Sequence, residues 1–376
     1  MKRDLSFSGT GISHVIVSAL AFGSVMLSCT EDRGPAAGGL TGGESTFNVT
    51  LNAGSFTGTP ANGGEMDGAE ASTKVIPATG MHEDDMANIW MLQFDAAGTC
   101  VRSVYYPAYN PDNFPVTLSN GTAQTVAFVA NTFDANLFQD YAGTWSAFSS
   151  LTRDVTEASI HTGAGVGDRY LVISGIYKGD ITSAGIPTAV QMKRAVAKVK
   201  LTWSVAGLPA GEAFVPKSLQ VCNAAVKQAY MEASAAVYPA GAAGNFASYA
   251  ATNHPAAGTY TWYLAENRRG TGTGSSSFDK SELTAPGGQG AYCTYIDLRG
   301  EYTFADGQKA DLSYKFYIGA DVVSDYNVRR NNIYDLTVRI TGANAADTRI
   351  SITSAGGEWA VDTDTPGNVN GGVTFN

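Results

Sequence analysis

Few residues of this chain have the types and spacing that enzyme or metal chemistry requires. Four histidines occur among 376 residues, and His82, His161 and His254 are isolated from cysteine or carboxylate partners at ligand spacing. The acidic run EDD at 83–85 is interpreted as solvated charge at the end of a loop. No GxSxG, HExxH, phosphate-binding glycine loop or EF-hand motif occurs. The sequence predicts no enzyme and no cofactor or metal, although folding could still bring together two carboxylates of the glycosidase type.

A different chemistry, lipid attachment, is indicated at the N-terminus. The chain starts with the short basic segment MKRDLSFSG and continues with the apolar stretch GISHVIVSALAFGSVML, the pattern of an export signal. The following VMLSC is similar to the lipobox of bacterial lipoproteins, with Met26 where leucine is usual. We expect a signal peptide at 1–28, lipidation of Cys29, and a flexible tether at 29–44. An ordinary cleaved signal peptide with a coincidental cysteine is the alternative.

The remaining cysteines do not indicate a disulfide framework. Three of them, Cys100, Cys222 and Cys293, follow the predicted signal, and an odd number cannot pair completely. Cys222 in LQVCNA and Cys293 in AYCTYI lie in apolar runs, which favours small buried side chains over nucleophiles or ligands.

One basic stretch stands out, because the chain as a whole has a net charge of -10 and a pI near 4.9. In the segment MKRAVAKVKLTWSV at 192–205, one parity holds the apolar residues Ala195, Ala197, Val199, Leu201, Trp203 and Val205, and the other holds Arg194, Lys198, Lys200, Thr202 and Ser204. A period of two predicts a half-buried strand whose basic residues face solvent. We therefore expect no nucleic-acid binding, since that would need a broader basic surface.

The same alternation recurs through most of the chain and predicts a mainly β fold. In STFNVTLNAG, Phe47, Val49 and Leu51 alternate with polar residues, and hairpin turns are expected at DAAG (95–98) and DG (306–307). Apolar spacings of three and four between 137 and 151 predict a short helix. We expect two tandem antiparallel β-sandwich domains with one or two short helices, at 45–186 and 187–357.

Several stretches together, in order, resemble the fimbrillins, the subunits of type V pili of Bacteroidales. They are the lipoprotein start and STFNVTLNAG, NIWMLQFDAAG, TVAFVANT, KRAVAKVKLTW, YLAENRRG, RRNNIYDLTVRITG and GEWAV. The resemblance covers essentially the whole chain. It implies transthyretin-like sandwiches and a structural subunit of a cell-surface fimbria that supports adhesion and biofilm formation. It also implies export through the periplasm, an outer-membrane lipid anchor, and partners among other fimbrial subunits and surface receptors.

The resemblance further implies assembly by strand exchange. A protease specific for arginine or lysine would cut in the loop after the first strand, release Phe47, Val49 and Leu51, and leave a groove for a strand of another subunit. Lys74 is the one basic residue between 54 and 82 and is the candidate cleavage site, although family members are usually cut sooner after the strand. The subunit could instead retain its first strand as an anchor, or be an accessory or tip subunit.

The last segment, 358–376, is the candidate donor strand. Its apolar residues are Trp359, Val361, Val369, Val373 and Phe375. The alternatives are a tail that pairs within its own domain or is disordered. Another reading of the whole chain is a surface glycan-binding lipoprotein, with Tyr260, Trp262 and Tyr263 as an exposed aromatic platform.

Overall fold

The computed structural model describes residues 43–53, 80–163, 167–275, 280–343, 345–354 and 367–368. Within these ranges the chain is mainly β, as predicted, and the described residues form one compact unit. No helix in the described part is long and apolar enough to cross a membrane.

The first half of the described chain contains eleven strands and one α-helix. The strands are β1 (Glu44–Asn48), β2 (Leu51–Asn52), β3 (Gly80–His82), β4 (Ile89–Phe94), β5 (Cys100–Tyr106), β6 (Pro115–Ser119), β7 (Gly121–Ala130), β8 (Thr152–Asp154), β9 (Asp168–Tyr170), β10 (Ile173–Ile181) and β11 (Val190–Arg194). The helix is α1 (Trp145–Ser149), capped by Thr144, whose hydroxyl accepts the backbone N–H of Ala147.

A six-stranded sheet with the order β2-β11-β10-β7-β4-β5 forms the centre of this half. Its inner strand β4 is buried along all six residues, because both faces of the sheet are covered. On one face lies the two-stranded β1–β6 sheet, and the core between them includes Met91 and Phe128. On the other face, α1 and the segment before it pack on Trp90 and Phe94. The predicted helix therefore exists but is confined to five residues.

The second half contains the remaining strands and two short 3-10 helices, Ala243–Asn245 and Gly290–Tyr292. The strands are β12 (Val196–Val205), β13 (Ala213–Cys222), β14 (Ala224–Ala225), β15 (Lys227–Ala229), β16 (Phe246–Ala247), β17 (Thr252–Asn253), β18 (Gly258–Ala265), β19 (Asn267–Thr271), β20 (Tyr295–Thr303), β21 (Lys309–Tyr317), β22 (Asp325–Val328), β23 (Asn332–Gly342), β24 (Ala345–Ser354) and β25 (Gly367–Asn368).

Two sheets enclose the main core of this half. A seven-stranded sheet, β16-β14-β18-β12-β23-β24-β25, and a four-stranded sheet, β17-β13-β20-β21, contribute alternate apolar residues to one cluster that includes Trp203, Leu298 and Tyr314. The seven-stranded sheet is mixed, since β12 pairs antiparallel with β18 and parallel with β23. Smaller pairs are β19–β22, β15–β8 and β3–β9.

Both predicted hairpin turns are confirmed. Gly98 has φ +80° and follows the β4 strand end, and its N–H donates to Asp95 O at 2.8 Å. Gly307, with φ +83°, closes the β20–β21 hairpin in the same way through Phe304 O. Only glycine adopts these positive φ values without strain.

The basic stretch at 192–205 crosses from one sheet to the other. Its residues up to Arg194 form β11 in the first sheet, and after Ala195 the chain continues as β12 in the seven-stranded sheet. The chain therefore changes sheet at Ala195, a few residues after the domain boundary that the sequence predicts near 186. That boundary remains a prediction, and a continuous extended segment joins the two halves.

Candidate assembly site

The first strand occupies a groove between two strands that are far away in sequence. β1 pairs antiparallel with β6, from Glu44 opposite Ser119 to Asn48 opposite Pro115. The chain then crosses to β11, where β2 pairs in parallel with Val190 and Gln191. Residues 44–52 therefore close one side of the first half by bridging two edges.

The predicted first-strand anchors point into this groove. Val49 and Leu51 are 3% and 6% exposed, and Phe47 is half-buried against the same core cluster. Burying Val49 and Leu51 contributes about 3–6 kcal/mol in total. The period of two in the sequence therefore correctly predicts which side chains of this segment face inward.

Glycine makes room for the aromatic ring of the first strand. Gly185 has φ +91°, and a Cβ built there would lie 2.7 Å from the ring of Phe47. Any larger residue at this position would collide with the ring and strain the backbone. Nothing in the local sequence pairs Gly185 with a residue so distant, and this contact was missed.

Polar contacts fix the register of the first strand at its ends. The guanidinium of Arg102 on β5 binds the carboxylate of Glu44. The hydroxyls of Thr46 and Thr117 lie 2.8 Å apart, and the phenol of Tyr109 donates to Leu51 O at 3.4 Å. Arg102, Thr117 and Tyr109 were not predicted, because each contact joins residues more than fifty positions apart.

Removal of residues 44–52 would open two strand edges and an apolar trough. β6 would lose its hydrogen-bonding partner, and the edge of β11 would lose β2. The trough would be lined by side chains such as Val116 and Leu118, which are fully buried while the segment is in place. Such an edge, with unpaired N–H and C=O groups beside apolar pockets, recruits another extended strand.

The acidic run that follows the 54–79 segment is not solvated, and this expectation was wrong. Glu83 receives two hydrogen bonds of 2.8 Å from Lys198 and one from the Tyr263 hydroxyl. Burial, together with the neighbouring carboxylate, raises the pKa of Tyr263, so its phenol remains a donor. Asp84 binds Arg194, whose terminal nitrogen lies 2.5 Å from the carboxylate.

His82 begins the same segment and is not isolated from carboxylates, contrary to expectation. Its Nδ1 lies 3.1 Å from Asp85 Oδ2 and its Nε2 lies 3.9 Å from Asp168 Oδ1. The ring stacks on Tyr170 with a centroid distance of 4.2 Å. Even so, no group of three or more His, Cys, Asp or Glu residues in the described ranges could hold a metal ion.

Arg194 is the main correction to the predicted solvent face of the basic strand. It is 0% exposed, and besides Asp84 it donates to Glu83 O at 2.8 Å and to the Asn331 side chain at 3.1 Å. Burial lowers the pKa of Arg194, while Asp84 opposes that effect. The face was mistaken because the acidic segment 83–85 covers it, whereas Lys200, paired with Asp335 at 2.7 Å, does stay partly exposed.

The segments YLAENRRG and RRNNIYDLTVRITG, which carry part of the resemblance, contain arginines that are also buried and paired. Glu266, 1% exposed, lies between Arg330 at 3.3 Å and Arg268 at 3.4 Å. Arg330 also donates to the backbone carbonyls of Ala229 and Tyr230. These charges are buried and paired, so they hold loops together and do not offer a surface for ligands.

The proposed aromatic platform for glycans is not exposed. Trp262 is 8% exposed and belongs to the main core of the second half, with Tyr260 packed against that core. Tyr263 points to the other side, where it binds Glu83. The three rings therefore present no shared flat surface of the kind that sugars stack on.

The two cysteines in apolar runs are buried, as predicted. Cys222 and Cys293 are buried and Cys100 is half-buried, and all three are free thiols. Burial raises the pKa of Cys293 to about 12 and that of Cys100 to about 11, the opposite of what a nucleophilic thiol needs.

Other predicted site residues lie outside the described residues. They are Cys29, Lys74, Trp359, Val361, Val369, Val373 and Phe375. Within the last segment, only Gly367–Asn368 is described, and it pairs antiparallel with Asp347 and Thr348 of β24 in the same chain.

The fold and the groove define an all-β protein whose first strand is an edge element held by a separate part of the chain. A family described as a domain of unknown function, DUF4906, matches residues 262–338. No curated protein matches the sequence.

Solved structures are similar to this chain at low sequence identity. The tip fimbrial protein Mfa3 from Porphyromonas gingivalis, with C-terminal truncation, is 16% identical with a TM-score of 0.49, covering 72% of this chain and 94% of its own. A candidate cell adhesion protein from Parabacteroides distasonis has 13% identity and a TM-score of 0.49, covering 89% and 94%. The fimbrilin FimA from P. gingivalis W83 is 13% identical with a TM-score of 0.44, and the match covers 80% of this chain and 90% of FimA. Two of these three structures are of fimbrial proteins, and the third is of a candidate cell adhesion protein.

Proposed function

We propose that this chain is a structural subunit of a cell-surface fimbria, exported as a lipoprotein on Cys29 and assembled by protease-triggered strand exchange. The observation that carries the proposal is the geometry of residues 44–52. They fill a groove with three alternating anchors, yet each half of the segment pairs with only one neighbouring strand. Cutting the chain after them would let the segment leave with only the two-residue edge strand β2 lost from the six-stranded sheet.

The segment after the candidate cleavage site supports the same proposal. Cleavage at Lys74 would leave a new N-terminus a few residues before β3. From His82 to Asp85 every side chain is then held by hydrogen bonds or ion pairs, including those of Glu83 to Lys198 in the second half and of Asp84 to Arg194 on β11. The body of the subunit would stay intact while the first strand departs.

Partners in this scheme are other fimbrial subunits and a protease specific for lysine or arginine, at the outer membrane and in the fimbria. Retention of the first strand distinguishes an anchor subunit from a stalk, tip or accessory subunit. A subunit that retains the strand would terminate the filament at the membrane.

The experiment treats the full chain with a trypsin-like protease and follows its assembly by size-exclusion chromatography and electron microscopy. We expect a product starting at Val75 that forms oligomers when the other fimbrial subunits of the same cells are added, and no oligomers before cleavage. Lys74→Gln is the matched control and should remain monomeric. Mature surface filaments that still contain residues 30–74, or a K74Q protein that assembles equally well, would contradict cleavage at this site.

A further inference from the structure

The groove that holds the first strand is selective, and its requirements can be compared with the chain's own tail. An occupant must supply three apolar side chains at alternating positions, those of Phe47, Val49 and Leu51. The first must be flat enough to lie on Gly185, and the other two pockets hold a valine and a leucine with almost no exposed surface.

The groove also places a charge requirement on its occupant. Arg102 on β5 is three-quarters buried, with 24% of its side chain exposed, and its guanidinium binds the Glu44 carboxylate. Its Nε is buried and makes no hydrogen bond. An occupant with no acidic residue at the position of Glu44 would leave the Arg102 guanidinium without a carboxylate from the strand. The full requirement is an acidic residue followed, three, five and seven positions later, by apolar residues.

The tail of this chain does not meet that requirement in either direction. Trp359 and Val361 alternate, but the next positions of the same parity are Gly357 and Thr363. Val373 and Phe375 alternate likewise, preceded by Gly371. No three apolar residues alternate anywhere between 358 and 376.

Neither direction of the tail satisfies the acid position and the apolar pockets together when Trp359 and Val361 occupy two of the pockets. With Trp359 and Val361 in the first two pockets, the position of Glu44 is taken by Gly356. In the reversed direction Asp364 can face Arg102, but Trp359 then falls in the valine pocket and Gly357 in the leucine pocket. Losing one buried leucine-sized anchor weakens binding about 30-fold or more.

We infer that this groove takes its replacement strand from a different kind of subunit, one whose donor segment has the acid and three-anchor pattern, and not from the tail of a second copy. The inference rests on the proposed strand exchange. It makes the chain a member of a mixed assembly.

The test uses the full chain with an engineered protease site between residues 54 and 79, nicked so that the first strand is held without a covalent link. Fluorescent peptides compete for the groove: residues 43–53, the same peptide with Glu44→Lys, and residues 355–376. Binding is measured by anisotropy, and release of the original strand by mass spectrometry. We expect the 43–53 peptide to enter, the tail peptide to bind about 30-fold more weakly or worse, and Glu44→Lys to cost about two- to fivefold.

A charge exchange tests the Arg102 contact. Arg102→Glu in the nicked chain should restore binding of the Glu44→Lys peptide, whereas Arg299→Glu, at an exposed arginine on β20, should not. A tail peptide that binds as tightly as 43–53, or no rescue by Arg102→Glu, would overturn the inference and leave strand exchange standing. Failure of every peptide, including 43–53, would instead refute strand exchange itself.

Discussion

Replacing Arg194 should destabilise the protein more than any other single basic residue on the 192–205 strand. Arg194→Ala removes a guanidinium that is 0% exposed and leaves Asp84, itself only 14% exposed, without the cation 2.5 Å away. It also frees Glu83 O and the Asn331 side chain from their hydrogen bonds to the guanidinium. Breaking a buried ion pair by removing one partner costs about 3–5 kcal/mol, because the remaining charge stays desolvated.

The matched control is the neighbouring residue. Lys193 pairs with Glu232 at 2.9 Å, but both side chains are about half exposed, at 51% and 52%. Such a pair contributes about 0–1 kcal/mol. Lys193→Ala therefore removes the same charge from the same strand with the opposite surroundings.

Urea unfolding followed by tryptophan fluorescence and near-UV circular dichroism measures both variants. With a slope of about 3 kcal/mol/M, Arg194→Ala should lower the midpoint by about 1 M or more, and Lys193→Ala by about 0.3 M or less. Equal midpoints for the two variants would refute the argument that the acidic segment covers a buried cation.

Two further predictions concern pH and the seat of the first strand. Burial lowers the pKa of His161 from 6.5 to about 4, so the stability that the neutral imidazole contributes is complete above pH 6.5 and is lost as the pH falls towards 4. Between pH 7 and 4.5 the unfolding free energy of the wild type should fall by about 2 kcal/mol more than that of His161→Phe. Parallel pH profiles of the two proteins would contradict this. Gly185→Ala places a Cβ 2.7 Å from the Phe47 ring at φ +91° and should speed release of the nicked first strand about tenfold. The control is Gly207→Ala, at φ +73° with nothing within 4 Å, which strains the backbone alone and should leave the release rate unchanged. Stopped-flow or mass-spectrometric assays measure the release.

Local pattern was enough where one strand decides its own structure. The alternation in STFNVTLNAG identified Val49 and Leu51 as inward, and the glycines at 98 and 307 identified two hairpins. The apolar surroundings of Cys222 and Cys293 likewise indicated burial. In each case the information is carried by neighbours along the chain, through side-chain period or backbone φ.

The tertiary structure alone decided what lies against each face. A period of two separates Arg194, Lys198 and Lys200 from their apolar neighbours, but it does not say that residues 83–85, more than a hundred positions earlier, cover the charged side. It also cannot place Arg102 beside Glu44 or Gly185 under Phe47. Burial and ion pairing depend on which distant segment arrives at a surface, and strand pairing between remote parts of the chain settles that only when the whole core has formed.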